Sequence, residues 1–415
     1  MRRLAAAVVL MLGLLGAGPA APQPSSTVAY VNGQWWTGRA FAPGVRYVRD
    51  GVFVPAPKRP DRVEDLGGGF VVPPFADAHN HMPGSAQGVN DRALAAGVFY
   101  LMNPTVLASA APNIRAGLAG PGKVEAVLSM GGITAPDGHP VRIYQDIIGP
   151  RVYPQIKPAD FLGDAYHFVA TPADIGPVLD RLQAQHVQFV KIMVLWSEEF
   201  AKRRDDPAYR GLKGLDPALV PPLVAEAHRR GLRVAAHIES ANDFRVITGA
   251  HVDEAAHMPG YSVTKEDLAP YLITEADARA AGRNGMVMTA TASLAAAYNE
   301  APAQLARVQG MQRANLSKLK AAGVRLLIGT DQQPDAAPDE AIYLVKLGIF
   351  SPTEALDALS RATPLWILPG RRIGRLAVGD EASFLVLGAD PTRDIAAIKA
   401  IRRRVKQGIE IAPPH

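Results

Sequence analysis

Short apolar runs alternate along the chain with longer amphipathic segments. Eight runs rich in Val, Leu and Ile are interpreted as strands, at residues 70–76, 98–102, 124–130, 189–196, 232–237, 252–256, 286–290 and 324–329. Segments such as 217–230 and 305–322 are predicted helices. This alternation is typical of a parallel sheet with helical crossovers, and eight units predict an α/β fold, a (β/α)8 TIM barrel over residues 70–368. A doubly wound open sheet is the alternative.

The two ends of the chain follow a different pattern. Residues 22–69 contain short strand-like segments joined by turns, and an Asn-Gly at 32–33 and an Asp-Gly at 50–51 are hairpin signals. Residues 369–415 again contain strand-like segments. Because neither flank is long enough to bury a core alone, we predict one small β-sandwich domain built from both chain termini.

The first residues have the layout of a secretory signal peptide. Arg2 and Arg3 precede an apolar run at 4–15, and small residues follow up to Ala20. The run is too short to cross a bilayer comfortably, which takes roughly 20 residues, so a membrane anchor is the weaker alternative. We therefore expect a cleaved leader over residues 1–21, a periplasmic or secreted protein, and no membrane association after cleavage.

The amino-acid composition limits the kinds of partner and active site that the chain can have. The net charge is +5 and the charged residues are scattered, which argues against a nucleic-acid partner. The chain has no cysteine, which excludes disulfides and thiol nucleophiles. A metal site would have to use His, Asp, Glu and Lys.

Residues able to bind metal lie at or near the ends of the first and fourth predicted strands. His79 and His81 are two apart, so in an extended segment both side chains point to the same side. Lys191 lies within an apolar run, where burial favours the neutral amine. A neutral amine can react with CO2 to form a carbamate, whose two oxygens can bridge two ions. A surface histidine pair and a lysine that reaches the barrel rim are the alternatives.

Three further candidates follow later strands. His237 ends the fifth run, His257 follows the sixth and Asp331 follows the eighth. Because barrel enzymes place their sites at the carboxyl ends of the strands, these positions favour a common site. Taken singly, each histidine could equally be a hydrogen-bonded core residue, and the aspartate a helix cap.

Together, these residues resemble the ligand set of the amidohydrolase superfamily, in its binuclear branch of prolidase-like and imidazolonepropionase-like hydrolases. The resemblance continues through the tail at 361–391. The sequence departs from the family pattern at 73–76 and 331–334, and these departures leave the ligand set intact but bear on the substrate class. It implies two divalent ions, with Zn2+ expected first. The implied ligands are His79, His81 and Asp331 for the buried ion, His237 and His257 for the exposed ion, and carboxylated Lys191 bridging both.

The same resemblance implies hydrolysis of a C–N bond by a metal-bridging hydroxide, with Asp331 moving the proton to the leaving amine. The expected substrate is a small molecule, such as a dipeptide, an N-acyl amino acid or a lactam. His139, in a glycine-rich loop, is similar to a histidine that relatives carry near the substrate. Tyr144, Tyr153 and Tyr166 are further candidates for substrate contact.

Two other functions remain open from the sequence. A mononuclear deaminase on the same barrel is suggested by Glu239, which follows His237, although such enzymes do not need Lys191. The second alternative function is that of a non-catalytic periplasmic binding protein. The complete set of ligand residues argues against this alternative.

Overall fold

The computed structural model describes residues 26–412, except 82–84, 262, 264–265, 300 and 333–335. The predicted leader, residues 1–21, lies outside the described residues. Within the described part, no helix combines the length and the apolar character needed to cross a membrane.

The chain is an α/β protein. Its strands are β1 (Val28–Trp36), β2 (Phe41–Arg49), β3 (Val52–Val54), β4 (Arg62–Asp65), β5 (Phe70–Val72), β6 (Phe75–Asp77), β7 (Val98–Val106), β8 (Glu125–Met130), β9 (Gly132–Thr134), β10 (Tyr166–Phe168), β11 (Phe189–Val194), β12 (Arg233–Ile238), β13 (Glu254–Ala255), β14 (Val287–Thr289), β15 (Arg325–Leu327), β16 (Phe384–Leu387), β17 (Ile401–Lys406) and β18 (Ile409–Glu410). Its α-helices are α1 (Ala86–Ala95), α2 (Ala111–Gly117), α3 (Gly149–Val152), α4 (Pro172–Ala184), α5 (Phe200–Arg203), α6 (Val220–Arg229), α7 (Ala241–Gly249), α8 (Glu275–Arg283), α9 (Leu294–Tyr298), α10 (Pro302–Ala321), α11 (Ala337–Lys346), α12 (Pro352–Asp357) and α13 (Thr363–Ile367). Short 3₁₀ and π-helical segments lie between them, including the π-helix Ile143–Ile148.

The two ends of the chain form one eight-stranded sheet. Its strand order is β18-β17-β16-β5-β1-β2-β3, and β4 pairs with β1. Strands from opposite ends meet where β5 runs antiparallel to β16, with Val71 opposite Val386. An aromatic cluster packs against this sheet, and the rings of Trp35 and Phe384 are 5.6 Å apart. Because aromatic side chains bury a large apolar area, this cluster links the two termini firmly.

The prediction of a single strand over residues 70–76 was wrong. Pro73 and Pro74 divide it, because proline lacks the N–H that a sheet ladder needs. The first part, β5, belongs to the terminal sheet, and the second part, β6, belongs to the parallel strands. The terminal sheet therefore extends three residues beyond the boundary predicted at residue 69.

The other predicted strands occur in the predicted order as parallel neighbours. One sheet is β6-β7-β8, and the other is β10-β9-β11-β12-β13-β14-β15. Consecutive strands β8 and β9 join the two sheets at Gly131, which has φ 75°. A Cβ there would lie 2.8 Å from the carbonyl oxygen of Ala165, so only glycine fits.

The first and last parallel strands meet at their carboxyl ends. The Ala78 N–H donates to the Ile328 carbonyl at 2.9 Å, and the Thr330 N–H donates to the His79 carbonyl at 2.9 Å. These bonds place the segments after β6 and β15 side by side, and they bring together candidate ligands that are far apart in sequence.

The two helices named from the sequence are present with shifted bounds. Segment 217–230 is a 3₁₀ turn, Pro217–Leu219, followed by α6, and segment 305–322 corresponds to α10. Asp216 accepts a hydrogen bond from the Ala218 N–H and so caps the first turn. The helices cover the parallel strands and leave their carboxyl ends open for the site.

Candidate metal centre

A cavity of about 490 Å³ lies at the carboxyl ends of the parallel strands. The six predicted ligand residues all line it, and so does the predicted substrate contact His139. The six are His79, His81, Lys191, His237, His257 and Asp331. Folding therefore brings to one place side chains that span about 250 residues of sequence.

His79 and His81 face the carboxylate of Asp331. His79 Nδ1 lies 2.9 Å from the Ala256 carbonyl oxygen, which only accepts, so this nitrogen carries the proton. The lone pair is then on Nε2, 3.3 Å from Asp331 Oδ1. His81 Nε2 lies 2.7 Å from the same oxygen. A backbone acceptor that fixes the tautomer in this way is typical of metal-binding histidines.

Asp77 holds the segment that carries the two histidines. Its buried carboxylate accepts from the His79 N–H at 2.9 Å and from the Thr330 hydroxyl at 2.9 Å. Burial raises the pKa of Asp77 well above its usual value, although these hydrogen bonds oppose the shift. The carboxyl group thus connects the ends of β6 and β15 and positions His79.

His257 and His237 complete the ring of imidazoles. The ring of His257 lies 4.4 Å from that of His79 and 4.8 Å from that of His237. One ligand atom each from His79, His257 and Asp331 lie within 4.8 Å of one another. Metal–nitrogen and metal–oxygen bonds are about 2.0–2.2 Å long, so two atoms that share one ion lie up to about 4.4 Å apart, close to the separations found here.

The buried imidazoles are neutral at neutral pH. Burial, assisted by the charge on Lys191, lowers the pKa of His79 and of His237 to about 3. Burial and the neighbouring His79 lower the pKa of His257 well below its usual value. Neutral imidazole is the form that binds a metal ion, so the site is prepared for cations.

Lys191 is buried on β11, and within the described residues its Nζ has no hydrogen-bond partner. Burial lowers its pKa to about 7 and outweighs the opposing charges of Asp331 and Glu254. A buried polar atom without a partner is costly unless something absent from the polypeptide satisfies it. The lysine and the three neutral imidazoles of His79, His237 and His257 fit a bound cationic group.

Asp331 is ionised and held in a strained turn. Its φ is 56°, a left-handed conformation that Asp tolerates better than most residues, and its N–H donates to the His79 carbonyl at 2.7 Å. Burial acts to raise the pKa of Asp331, but the charges that His257 and His79 carry when protonated, with the hydrogen bond to His81, outweigh it and hold this pKa well below the usual value. The carboxylate therefore faces the imidazoles as an anion.

Asp243 organises two loops at this face, and the sequence analysis missed it. Its buried carboxylate accepts four backbone N–H groups. The donors are Trp196 and Ser197 after β11, and Glu239 and Ser240 after β12, at 2.7–3.0 Å. The pattern Ser240-x-x-Asp243, a capping box at the start of α7, was the signal that could have found it.

Aromatic rings cover the histidines from the solvent side. His139 stacks on His237 at 4.5 Å, and Tyr261 stacks on His257 at 4.0 Å. Tyr144 and Tyr153 line the cavity. Tyr261 was missed, and its position four residues after His257 was the available signal.

Two other sequence candidates have different surroundings. Tyr166 lies in β10, and its hydroxyl accepts a hydrogen bond from Gln145 Nε2 at 2.7 Å. It is not among the described residues that line the cavity, so of the three tyrosine candidates the cavity favours Tyr144 and Tyr153 over Tyr166. Glu239 Oε1 lies 3.3 Å from His237 Nε2, which keeps this carboxylate near the site.

A search against known proteins gave a family match and several similar structures. The model of the amidohydrolase family matches residues 211–409. No curated protein matches the sequence. A Xaa-Pro dipeptidase with bound methionine is 15% identical, with a TM-score of 0.72 over 93% of this chain and 100% of that chain.

Two further solved structures have the same fold. The A. niger ochratoxinase is 17% identical, with a TM-score of 0.71 over 94% of this chain and 98% of that one. Molinate hydrolase is 16% identical, with a TM-score of 0.70 over 93% and 95%. With the family match, this likeness supports the α/β architecture with an added β domain that the alternation of strands and helices predicted. Residues 211–409 match the amidohydrolase family, and the whole chain shares the fold of these solved hydrolases, which supports a metal-dependent enzyme that acts on carbon–nitrogen bonds.

Proposed function

We propose that the chain is an exported binuclear hydrolase that cleaves the C–N bond of a small amide at the mouth of a closed (β/α)8 barrel. The observation that carries this proposal is Lys191, a buried amine with no hydrogen-bond partner among the described residues, surrounded by histidines and one carboxylate. A mononuclear metal site does not need a buried lysine. The leader-like residues 1–21 support export, and N-terminal sequencing of the mature protein tests it.

The ligands divide into two sets that share a bridge. His79, His81 and Asp331 would hold one divalent ion, and His237 and His257 the other. Carboxylated Lys191 would contact both. When bound, the two ions, with Zn2+ expected first, lower the pKa of a water molecule and polarise the scissile carbonyl.

Lys191 needs a covalent change to act as a bridge. The neutral Nζ attacks CO2, an N–C bond forms and one proton leaves, which gives a carbamate with one negative charge and two oxygens. Because the pKa of Lys191 is lowered to about 7, a large fraction of the amine is neutral at pH 7 and above. The carbamate and Asp331 then supply two negative charges against the four positive charges of two divalent ions.

Asp331 is placed to move the proton. As water adds to the amide carbon, its carboxylate accepts a proton from that water. When the C–N bond breaks, the same group donates the proton to the leaving nitrogen, so an acid and an amine are formed. Contacts with two histidines fix its direction, since His79 Nε2 and His81 Nε2 lie 3.3 and 2.7 Å from one oxygen.

Small amides are the substrates that the similar structures suggest. The similar proteins include a Xaa-Pro dipeptidase, an ochratoxinase and a molinate hydrolase. A dipeptide, an N-acyl amino acid or a lactam would each present a carbonyl to the histidine-lined part of the cavity. His139, beside His237, would contact this substrate.

The decisive experiment is to measure metal content and hydrolysis for the wild type and Lys191→Ala. We expect two ions per wild-type chain and at most one in the variant. Activity on a panel of dipeptides, N-acyl amino acids and lactams should fall about a thousandfold or more, because a Lewis acid contributes several kcal/mol and each 1.4 kcal/mol is tenfold. Lys346→Ala, at an exposed position on α11, is the control and should match the wild type.

Two outcomes would contradict the proposal. One ion per wild-type chain, with Lys191→Ala as active as the wild type, would instead favour a mononuclear deaminase that uses Glu239. Two ions without hydrolysis of any panel member would favour a binding protein.

A further inference from the structure

The cavity has two ends of different chemistry. One end carries the histidines, Lys191 and Asp331. Apolar side chains dominate the lining of the other end, which Tyr144 and Tyr153 also border, and we call this part the apolar end. It comprises Leu107, Ile114, Ile143, Ile148 and Val152.

The apolar end is built by two facing segments. Leu107 and Ile114 come from the loop after β7 and from α2. The other three side chains come from the π-helix Ile143–Ile148 and the adjoining α3, within the insertion between β9 and β10. π-Helical turns are rare, and they occur frequently at functional sites.

This insertion has a hydrophobic core of its own. Leu107, Val141, Tyr144, Phe161 and Tyr166 form a buried cluster, against which Ile148 packs. The apolar end therefore rests on a packed layer and does not depend on a ligand for its shape. A preformed wall of this kind costs little conformational entropy when a ligand binds.

The Gln145 and Asp146 side chains of the π-helix are engaged away from the cavity, which Tyr144 lines. Gln145 donates to the Pro158 carbonyl at 3.0 Å, and Asp146 forms an ion pair with Arg210 at 2.5 Å. The helix thus presents isoleucines to the cavity and its charged group to the surface. Arg210 secures this orientation.

Several side chains of the apolar end remain partly exposed. Val152 is 45% exposed, and Ile114, Ile143 and Ile148 are also incompletely buried. Apolar groups that stay wet inside a concave pocket gain free energy when a ligand removes water from them. Ligand sites in proteins commonly combine such a surface with a few polar groups, as the histidine end supplies here.

From these observations we infer that the substrate carries a bulky, uncharged alkyl or aryl group, which occupies the apolar end while its amide lies among the histidines. This inference rests on the proposed hydrolase function and specifies its substrate class. It distinguishes apolar N-acyl compounds and aryl amides from small polar dipeptides. Each methylene that enters the apolar end should strengthen binding about fourfold.

Binding of straight-chain alkyl hydroxamates tests the inference directly. The series from acetohydroxamate to octanohydroxamate keeps one metal-binding head and lengthens an apolar tail. Calorimetric titration of the metal-loaded full-length protein should give affinities that rise about fourfold per methylene until the apolar end is filled. Affinities that stay constant along the series would overturn the inference.

A matched pair of variants locates the effect. Val152→Asp places a charge in the apolar end at a half-exposed position, and it should weaken octanohydroxamate binding at least tenfold while leaving acetohydroxamate unchanged. Ile147→Asp is the control, because Ile147 is 43% exposed on the neighbouring π-helix but is not among the described residues that line the cavity. Equal losses in both variants would contradict the assigned subsite.

The two proposals can fail separately. If affinity rises with tail length but no amide is hydrolysed, the apolar subsite stands and the hydrolase function is lost. If small polar dipeptides are hydrolysed and the hydroxamate series is flat, the hydrolase function stands and the apolar substrate class is wrong.

Discussion

The histidine end and the apolar end of the cavity are constructed in opposite ways. Ligands of the histidine end come from five separate strand ends, spread from His79 to Asp331, and main-chain hydrogen bonds such as the one from Asp331 to His79 hold them in register. The apolar end comes from the loop after β7, from α2 and from one local insertion. Chemistry is therefore fixed by the sheet as a whole, whereas the choice of substrate depends on segments that can change without disturbing the ligands.

The two ends also differ in how they are stabilised. Most of the histidine-end side chains are buried. The Ala256 carbonyl sets the tautomer of His79, and Asp77 holds its backbone. The apolar end has few polar contacts and keeps exposed side chains such as Val152. Substitutions at the first end should remove activity, and substitutions at the second should redirect it.

The largest effect should follow Asp331→Asn. Asparagine tolerates the left-handed backbone at this position, so the turn should survive. It cannot accept and return a proton, and kcat should fall about 10²–10⁴-fold. Steady-state kinetics with the best panel substrate measures this loss.

Asp339→Asn is the control for Asp331→Asn, because Asp339 is exposed on α11 and pairs with Lys399 at the surface. It should leave kcat unchanged. An Asp331→Asn enzyme that retained a tenth or more of the wild-type kcat would remove Asp331 from the role of proton carrier.

A middle-sized effect on stability should follow Asp243→Ala. This change leaves the four N–H groups that Asp243 now bonds without their acceptor, and it should lower the free energy of unfolding by about 3 kcal/mol. Asp243→Asn keeps one acceptor oxygen and should lose less. Thermal unfolding of the wild type, Asp243→Asn and Asp243→Ala measures the order of their stabilities.

Val152→Ala provides the comparison from the apolar end. Because Val152 is half-exposed, its unfolding free energy should change by no more than about 0.5 kcal/mol. Equal unfolding temperatures for Asp243→Ala and the wild type would show that the loops after β11 and β12 do not depend on this carboxylate.

The contrast between the histidine end and the apolar end also explains which site residues could be predicted from the sequence. His79, His237, His257 and Asp331 were identifiable because each follows an apolar run, and strand ends in a parallel sheet converge whatever the loops do. Lys191 was identifiable because burial of a charged group within an apolar run is costly unless that group is neutralised or paired. Their meeting at one cavity depends on strand order, which the alternation of elements indicated.

Other features depended on contacts that a single sequence does not contain. Nothing local marks Ile114 and Ile143 as lining one cavity, because they lie on different elements that only folding brings together. Strand β10 is only three residues long, so Tyr166 looked like a loop residue. The break at Pro73-Pro74 was visible, but only pairing with β16 shows that β5 belongs to the terminal sheet.

The smallest effect should follow His139→Phe, which tests where the histidine end of the cavity meets the apolar end. His139 stacks on His237 and is followed by Pro140, which begins the segment that leads into the π-helix. Phenylalanine preserves the stacked ring but cannot donate a hydrogen bond, so kcat/KM should fall about tenfold, the equivalent of one hydrogen bond of about 1.4 kcal/mol. Metal content should remain two ions per chain, which kinetics paired with metal analysis will check. Loss of an ion would instead mean that His139 serves the histidine end by positioning His237, and the boundary between the two ends would then lie beyond it.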